Sequence, residues 1–121
     1  NPITEIRYDL PKNNLVNIIK KYGSYINFIH LRNIRHIPKS LDFYEDDHLN
    51  GSLDMVSIIK AILKEEKKRK NNNHPIKQIP MRPDHGHTIL HDQFNSIIPG
   101  YSLLGRMKGL DQLKGVIKAI N

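Results

Sequence analysis

Cysteine is absent from all 121 residues, so the chain forms no disulfide of its own and offers a metal no thiolate. Any metal it binds must be held by His, Asp or Glu, and a reducing, cytoplasmic setting is compatible with that composition. No apolar run approaches the roughly 20 residues of a membrane helix, which makes a soluble protein without a membrane partner the expectation. Acidic residues are scarce beside basic ones, 12 against 19, leaving a formal charge of +7 and a pI near 9.7. Such an excess raises nucleic acid as a partner. Much of it lies in Lys64-Glu65-Glu66-Lys67-Lys68-Arg69-Lys70, followed by Asn71, Asn72 and Asn73. That stretch has no aromatic residue on which a base could stack, and cations suit the C-terminal end of a helix. A solvated helix end is the preferred reading over a nucleic-acid arm, because charge alone supplies only non-specific binding.

The length is that of one small domain, yet the chain opens on Asn1 rather than Met, with no signal or transit sequence, and reads as a piece of something longer. Asn1 to Lys12 is irregular. Leu15, Ile18, Ile19 and Tyr22 then recur at helical spacing, with Asn13 as candidate N-cap and Gly23 where a left-handed terminator is wanted. Tyr25 to Arg32 reads as a parallel-type strand, with Ile26, Phe28, His30 and Arg32 on one face and Ile29 and Leu31 on the other. Residues 33 to 52 form a long connection, of the kind that serves as a lid or a flexible excursion. Its Glu45, Asp46, Asp47 and His48 read first as a flexible acidic loop, with a second metal cluster, or His48 as a lid residue, as the alternatives. Leu53 to about Lys70 is the clearest helix, with a stripe of Met55, Ile58, Ile59, Ile62 and Leu63, Ser52 as candidate cap and Asp54 in the first turn. From Ser102 a last helix carries Leu103, Met107, Leu110, Leu113, Ile117 and Ile120, and its glycines at 105, 109 and 115 favour close packing. His36, His74 and His91 read as surface residues.

Reactive groups concentrate in Ile79-Pro80-Met81-Arg82-Pro83-Asp84-His85-Gly86-His87, where a strand ends in two imidazoles, a carboxylate and a guanidinium. Alternation places Arg82 and Asp84 on one face and Ile79 and Met81 on the other. Pro83 biases Arg82 to extended geometry and Gly86 permits a sharp exit. The order helix, strand, helix, strand, helix implies a parallel sheet with crossover helices, either an open α/β sheet or part of a (β/α)8 barrel. In both, chemistry gathers at the C-terminal ends of the strands, where His30 and the Asp84-His85 turn fall. Each group also has a plainer reading: His30 as a hydrogen-bonded core histidine, Asp84 as a turn cap, Tyr101 as a packing residue at a helix entrance, Arg82 as a counter-ion for Asp84, and His85 and His87 as solvated.

That tract, followed by Pro99-Gly100-Tyr101-Ser102 and Gly105-Arg106-Met107-Lys108-Gly109-Leu110, resembles the C-terminal end of the bacterial mannonate dehydratase family. Phe28-Ile29-His30-Leu31-Arg32-Asn33 and Gly51-Ser52-Leu53-Asp54-Met55 match it in the same order, so the resemblance runs from about residue 13 to the end. It implies that residues 1–121 form a single segment, the C-terminal third or so of a TIM (β/α)8 barrel of the xylose-isomerase-like kind. It also implies metal-dependent dehydration of D-mannonate to 2-keto-3-deoxy-D-gluconate, with Fe2+ or Mn2+ as cofactor. By the same resemblance His30 and Asp84 are metal ligands, His85 and Tyr101 the acid/base pair, and Arg82 a substrate-binding group. The family's other ligands, a histidine and a cysteine, belong to earlier strands that this chain lacks. The expectation is therefore an inactive fragment that forms homo-oligomers or associates with the rest of the barrel. Two other functions stand beside it: another metal-dependent barrel enzyme acting on a sugar, such as an isomerase, and a basic module binding nucleic acid.

Overall fold

A computed structural model describes residues 14–84, 86, 88–89, 92, 96–98 and 101–121. The readings for Asn1 to Asn13, His85, His87 and His91 lie outside the described residues. The first helix, α1 (Leu15–Tyr22), is capped by Asn14, whose side chain accepts from the Asn17 amide at 3.0 Å. Gly23 after it is right-handed, with φ −52 and ψ −38, not the left-handed terminator expected. Its missing side chain serves packing instead, because a Cβ there would lie 2.7 Å from Glu65 Cδ. A 3-10 turn over Gly23–Tyr25 follows.

Strand β1 (Ile29–Leu31) is shorter than the alternation suggests. Ile26, expected on the His30 face, packs on the core because it precedes the strand and does not follow its alternation. Instead of one long connection the chain then builds an antiparallel hairpin, β2 (Ile34–His36) with β3 (Phe43–Glu45). Helix α2 (Met55–Asn71) starts two residues later than the hydrophobic pattern suggests, capped by Asp54 rather than Ser52. The Asp54 carboxylate accepts from the Ser57 amide at 3.0 Å and from its hydroxyl at 2.6 Å. The Ser52 hydroxyl is used elsewhere, accepting from the His36 amide. Asp54→Ala is expected to cost about 1 kcal/mol in urea denaturation at neutral pH. Those Ser57 bonds hold the Asp54 carboxyl below its ordinary 3.8. The difference between wild type and variant should therefore be full above that value and vanish as acid protonates the native carboxylate.

Strand β4 (Met81–Pro83) pairs in parallel with β1, Ile29 opposite Met81, His30 opposite Arg82 and Leu31 opposite Pro83. The pair is short because Pro80 and Pro83 have no N–H to donate to a ladder. The last helix, α3 (Leu103–Ile120), is capped by Ser102, which is fully buried and accepts from the Gly105 amide at 2.9 Å. Helix α2 packs against both α1 and α3, and α3 also packs on β4.

The core joins Ile19 of α1, Leu31 of β1, Ile79, Leu113 of α3, and Met55, Ile58, Ile59, Ala61 and Ile62 of α2. The expected α2 stripe therefore faces inward, with Leu63 at its margin. In α3 only the second half follows the apolar pattern. Its first half turns Gly105 and Gly109 inward, leaving Leu103 70% and Met107 54% exposed. Gly115, expected to serve close packing, faces open space.

Candidate functional site

Strand alternation decides which side chains meet. Ile29 and Leu31 of β1 and Met81 of β4 pack toward the helices, so His30, Arg82 and Asp84 emerge on the other face of the sheet. The parallel register sets His30 opposite Arg82, and the Asp84 amide donates to the Leu31 carbonyl at 3.0 Å, extending the pairing by one residue. The outcome is a carboxylate beside an imidazole: His30 Nδ1 lies 3.7 Å from Asp84 Oδ1, with the side chains 43% and 29% exposed. Two segments 54 positions apart thus supply one N donor and one O donor at the C-terminal ends of adjacent strands. Donors of these types suit a borderline divalent ion such as Fe2+ or Mn2+, and both groups are open enough to reach one. Among the described residues no third His, Cys, Asp or Glu joins them.

Phe28, immediately before β1, braces the pair. Its ring meets the His30 ring edge-on at 4.8 Å between centroids, and the Arg82 guanidinium lies over it at 6.0 Å. Arg82 is thereby held beside His30 rather than folded away, at about the outer limit of a cation–π contact. Tyr101 precedes the Ser102 cap, and its backbone forms a parallel bridge with Gly86. Its ring is more than half exposed, with the Arg106 guanidinium 5.2 Å from its centroid. The exit of β4 and the entrance of α3 are thus tied within two residues of Asp84. Gly86 is needed there, because a Cβ would lie 2.5 Å from the Ser102 carbonyl oxygen and 2.8 Å from the Arg106 nitrogen. The structure accordingly brings together His30, Asp84 and Arg82, with Tyr101 at the adjoining turn. His85 lies outside the described residues.

The hairpin after β1 is firmly tied, unlike the flexible loop expected. Asn33, almost completely buried, uses its whole amide: Nδ2 donates to the His48 and Leu53 carbonyls at 2.7 and 3.0 Å, and Oδ1 accepts from the Ile34 and Leu53 amides. Arg32 bonds Glu45, Arg35 bonds Asp46 at 2.7 Å, and Lys108 of α3 bonds Asp47 at 2.8 Å. The acidic residues of this loop are thus engaged by cations. Sequence reasoning passed over Asn33 as a structural residue; a polar amide directly after a buried strand was the available signal.

His48 is buried too, at 2% exposure, and its Nδ1 has no hydrogen-bond partner among the described residues. Burial pushes its pKa below the ordinary 6.5, outweighing the opposing pull of Asp47 and Glu45. The native state therefore resists a proton that the unfolded chain accepts. Stability should be fully present above about pH 6.5 and decline as pH falls below it, by at most about 1.4 kcal/mol per pH unit for one proton, levelling off below the native pKa. Urea denaturation at pH 7.5 and 5.5 checks this, with His48→Leu expected to lose this part of the decline.

The wider chain resembles known proteins throughout. The family model described as D-mannonate dehydratase (UxuA) matches residues 5–121. The mannonate dehydratase of Marinomonas sp. (strain MWYL1) is 50% identical over 104 residues, covering 86% of this chain and 26% of that protein. That of Saccharophagus degradans is 48% identical over 110 residues, covering 89% and 27%. Mannonate dehydratase 2 of Agrobacterium fabrum is 46% identical over 113 residues, with the same coverage. The chain thus spans about a quarter of the length of these curated relatives.

Proposed function

This chain belongs to the D-mannonate dehydratase family, and from that premise we propose that it supplies part of the active site of an enzyme converting D-mannonate to 2-keto-3-deoxy-D-gluconate and water. The observation that carries this reading is the approach of His30 Nδ1 to Asp84 Oδ1 at 3.7 Å, across the ends of two parallel strands. His30 and Asp84 would hold Fe2+ or Mn2+, and the ion when bound supplies electrophilic polarisation of the sugar-acid oxygens. Arg82, on the same face, is placed to bind the substrate carboxylate. Tyr101 and His85 form the acid/base pair: one takes the proton from the carbon next to the carboxylate, the other protonates the hydroxyl that leaves from the following carbon as water. The resulting enol becomes the 2-keto product.

We place the parallel β1–β4 pair and its helices in a (β/α)8 barrel of the xylose-isomerase-like kind, of which this chain forms one part. Open surface supports that reading. Among the described residues each of the two strands has one partner and one free edge, and Phe28, Leu103 and Met107 remain exposed. Such edges and apolar faces call for cover, and the remaining three quarters of a family-length polypeptide is the partner that supplies it. With two ligands and open flanks, the isolated chain is inactive in this account.

The basic stretch gives the nucleic-acid reading less to stand on than its composition suggests. Arg69 is buried and hydrogen-bonded within the fold, so it is not available to a phosphate. Product analysis separates the enzymatic readings. A chimera in which this segment replaces the matching quarter of the Marinomonas relative should convert D-mannonate to a 2-keto-3-deoxy acid with loss of water. Isomerisation of a sugar without dehydration would favour the isomerase alternative.

A further inference from the structure

We propose that His48 is a positioning residue for Asp84: its ring, lodged between the hairpin's return loop and Gly109 of α3, seats the end of β4 against the last helix. The meeting point has three parts. A Cβ on Gly109 would lie 2.9 Å from His48 Cδ2, 3.0 Å from His48 Nε2 and 4.0 Å from Pro83 Cβ. The imidazole, the helix backbone and the proline that ends β4 therefore share one small space, open only because residue 109 has no side chain. Asp84 is the next residue after Pro83.

The wedge is fixed from both sides. Asn33 grips the His48 carbonyl at 2.7 Å, and the neighbouring Asp47 is bonded to Lys108 at 2.8 Å, one residue before Gly109. Beyond Asp84 the chain is pressed onto the same helix at Gly86, against Ser102 and Arg106. Asp84 is thus suspended between two close contacts with α3, and its backbone joins β1 through the bond from its amide to the Leu31 carbonyl. Loss of the first contact frees the strand end to draw away from His30. Nδ1 of His48 makes no hydrogen bond among the described residues, so shape is what this ring contributes.

The functional meaning rests on reading Asp84 as a site residue; the test does not. Amide hydrogen exchange at Asp84 reports its seating, with the Ile62 amide in the α2 core as control for the fold. His48→Ala and Gly109→Ala should each speed exchange at Asp84 by about tenfold or more while leaving Ile62 unchanged. His48→Leu, which keeps an apolar side chain of similar size, should retain most of the protection. Mn2+ affinity of the same proteins should weaken in the first two variants and be restored in the third. If His48→Ala also releases Ile62, Gly109→Ala decides alone. Asp84 exchange at the wild-type rate in Gly109→Ala would overturn the proposal. Wild-type chain that fails to bind Mn2+ would count against the metal reading only, because the exchange result still decides the role of His48.

Discussion

Arg69→Ala is expected to cost about 3–5 kcal/mol, a large share of the roughly 5–15 kcal/mol that holds a typical domain together. Arg69 is 1% exposed, near the end of α2. Its guanidinium donates to the Gly23 and Ile26 carbonyls, both at 2.5 Å, to the Ile76 carbonyl at 3.1 Å, and to Glu65 at 3.4 Å. Removing it leaves a buried carboxylate without its cation and takes a donor from each of three carbonyls, and an abandoned buried charge is what makes such losses severe. Ile26 leads into β1 and Ile76 leads toward β4, so one planar group fixes the approaches to both strands that carry the site. A point-charge ammonium cannot span these acceptors, and Arg69→Lys should recover only part of the loss. The exposed neighbour Lys68 provides the contrast, its alanine variant staying within about 0.5 kcal/mol of wild type. Urea denaturation followed by helical circular dichroism measures all three, and a loss below about 1 kcal/mol in Arg69→Ala would show that the clamp is dispensable.

The second large effect concerns the site itself. In the active chimera, His30→Ala and Asp84→Ala should each lower D-mannonate turnover by more than about a hundredfold, the upper range for disturbing residues that only support a metal ligand. The two losses have different electrostatic content. Asp84 brings a negative charge to a divalent ion, whereas His30 brings a neutral donor, so Asp84→Ala should weaken metal affinity more. Added Mn2+ should therefore rescue His30→Ala further than Asp84→Ala. Equal turnover in wild type and Asp84→Ala would remove this carboxylate from the chemistry.

Where the site lies could be read from local rules. Alternation along Phe28-Ile29-His30-Leu31 and Met81-Arg82-Pro83-Asp84 puts His30, Arg82 and Asp84 on one face, and the intervening helix implies the parallel pairing that unites them. The buried stripe of α2 followed equally from periodicity, because that helix is packed by both α1 and α3. Periodicity failed for α3. Its first turns carry Leu103, Met107 and Leu110 at helical spacing, yet the inward positions there are glycines, and Gly109 meets His48 of the hairpin loop and Pro83 of β4, where a close approach needs a residue without a side chain more than an apolar one. Arg69 stood in a run of cations and read as solvated. What singles it out is a set of carbonyls brought from residues 23, 26 and 76, which no local pattern reveals. The hairpin was missed for a related reason: its order comes from Asn33 and from ion pairs spanning 11 to 61 positions.

The central claim is that His30 and Asp84 form the metal-binding part of this chain, and Mn2+ added to the isotopically labelled protein tests it most directly. Paramagnetic broadening falls off steeply with distance from the ion, so the first resonances to disappear locate it. The account predicts selective loss at His30 and Asp84 at substoichiometric Mn2+, abolished by Asp84→Ala. Broadening that begins instead around Glu45 to His48, or that spreads evenly over the surface carboxylates, would contradict it.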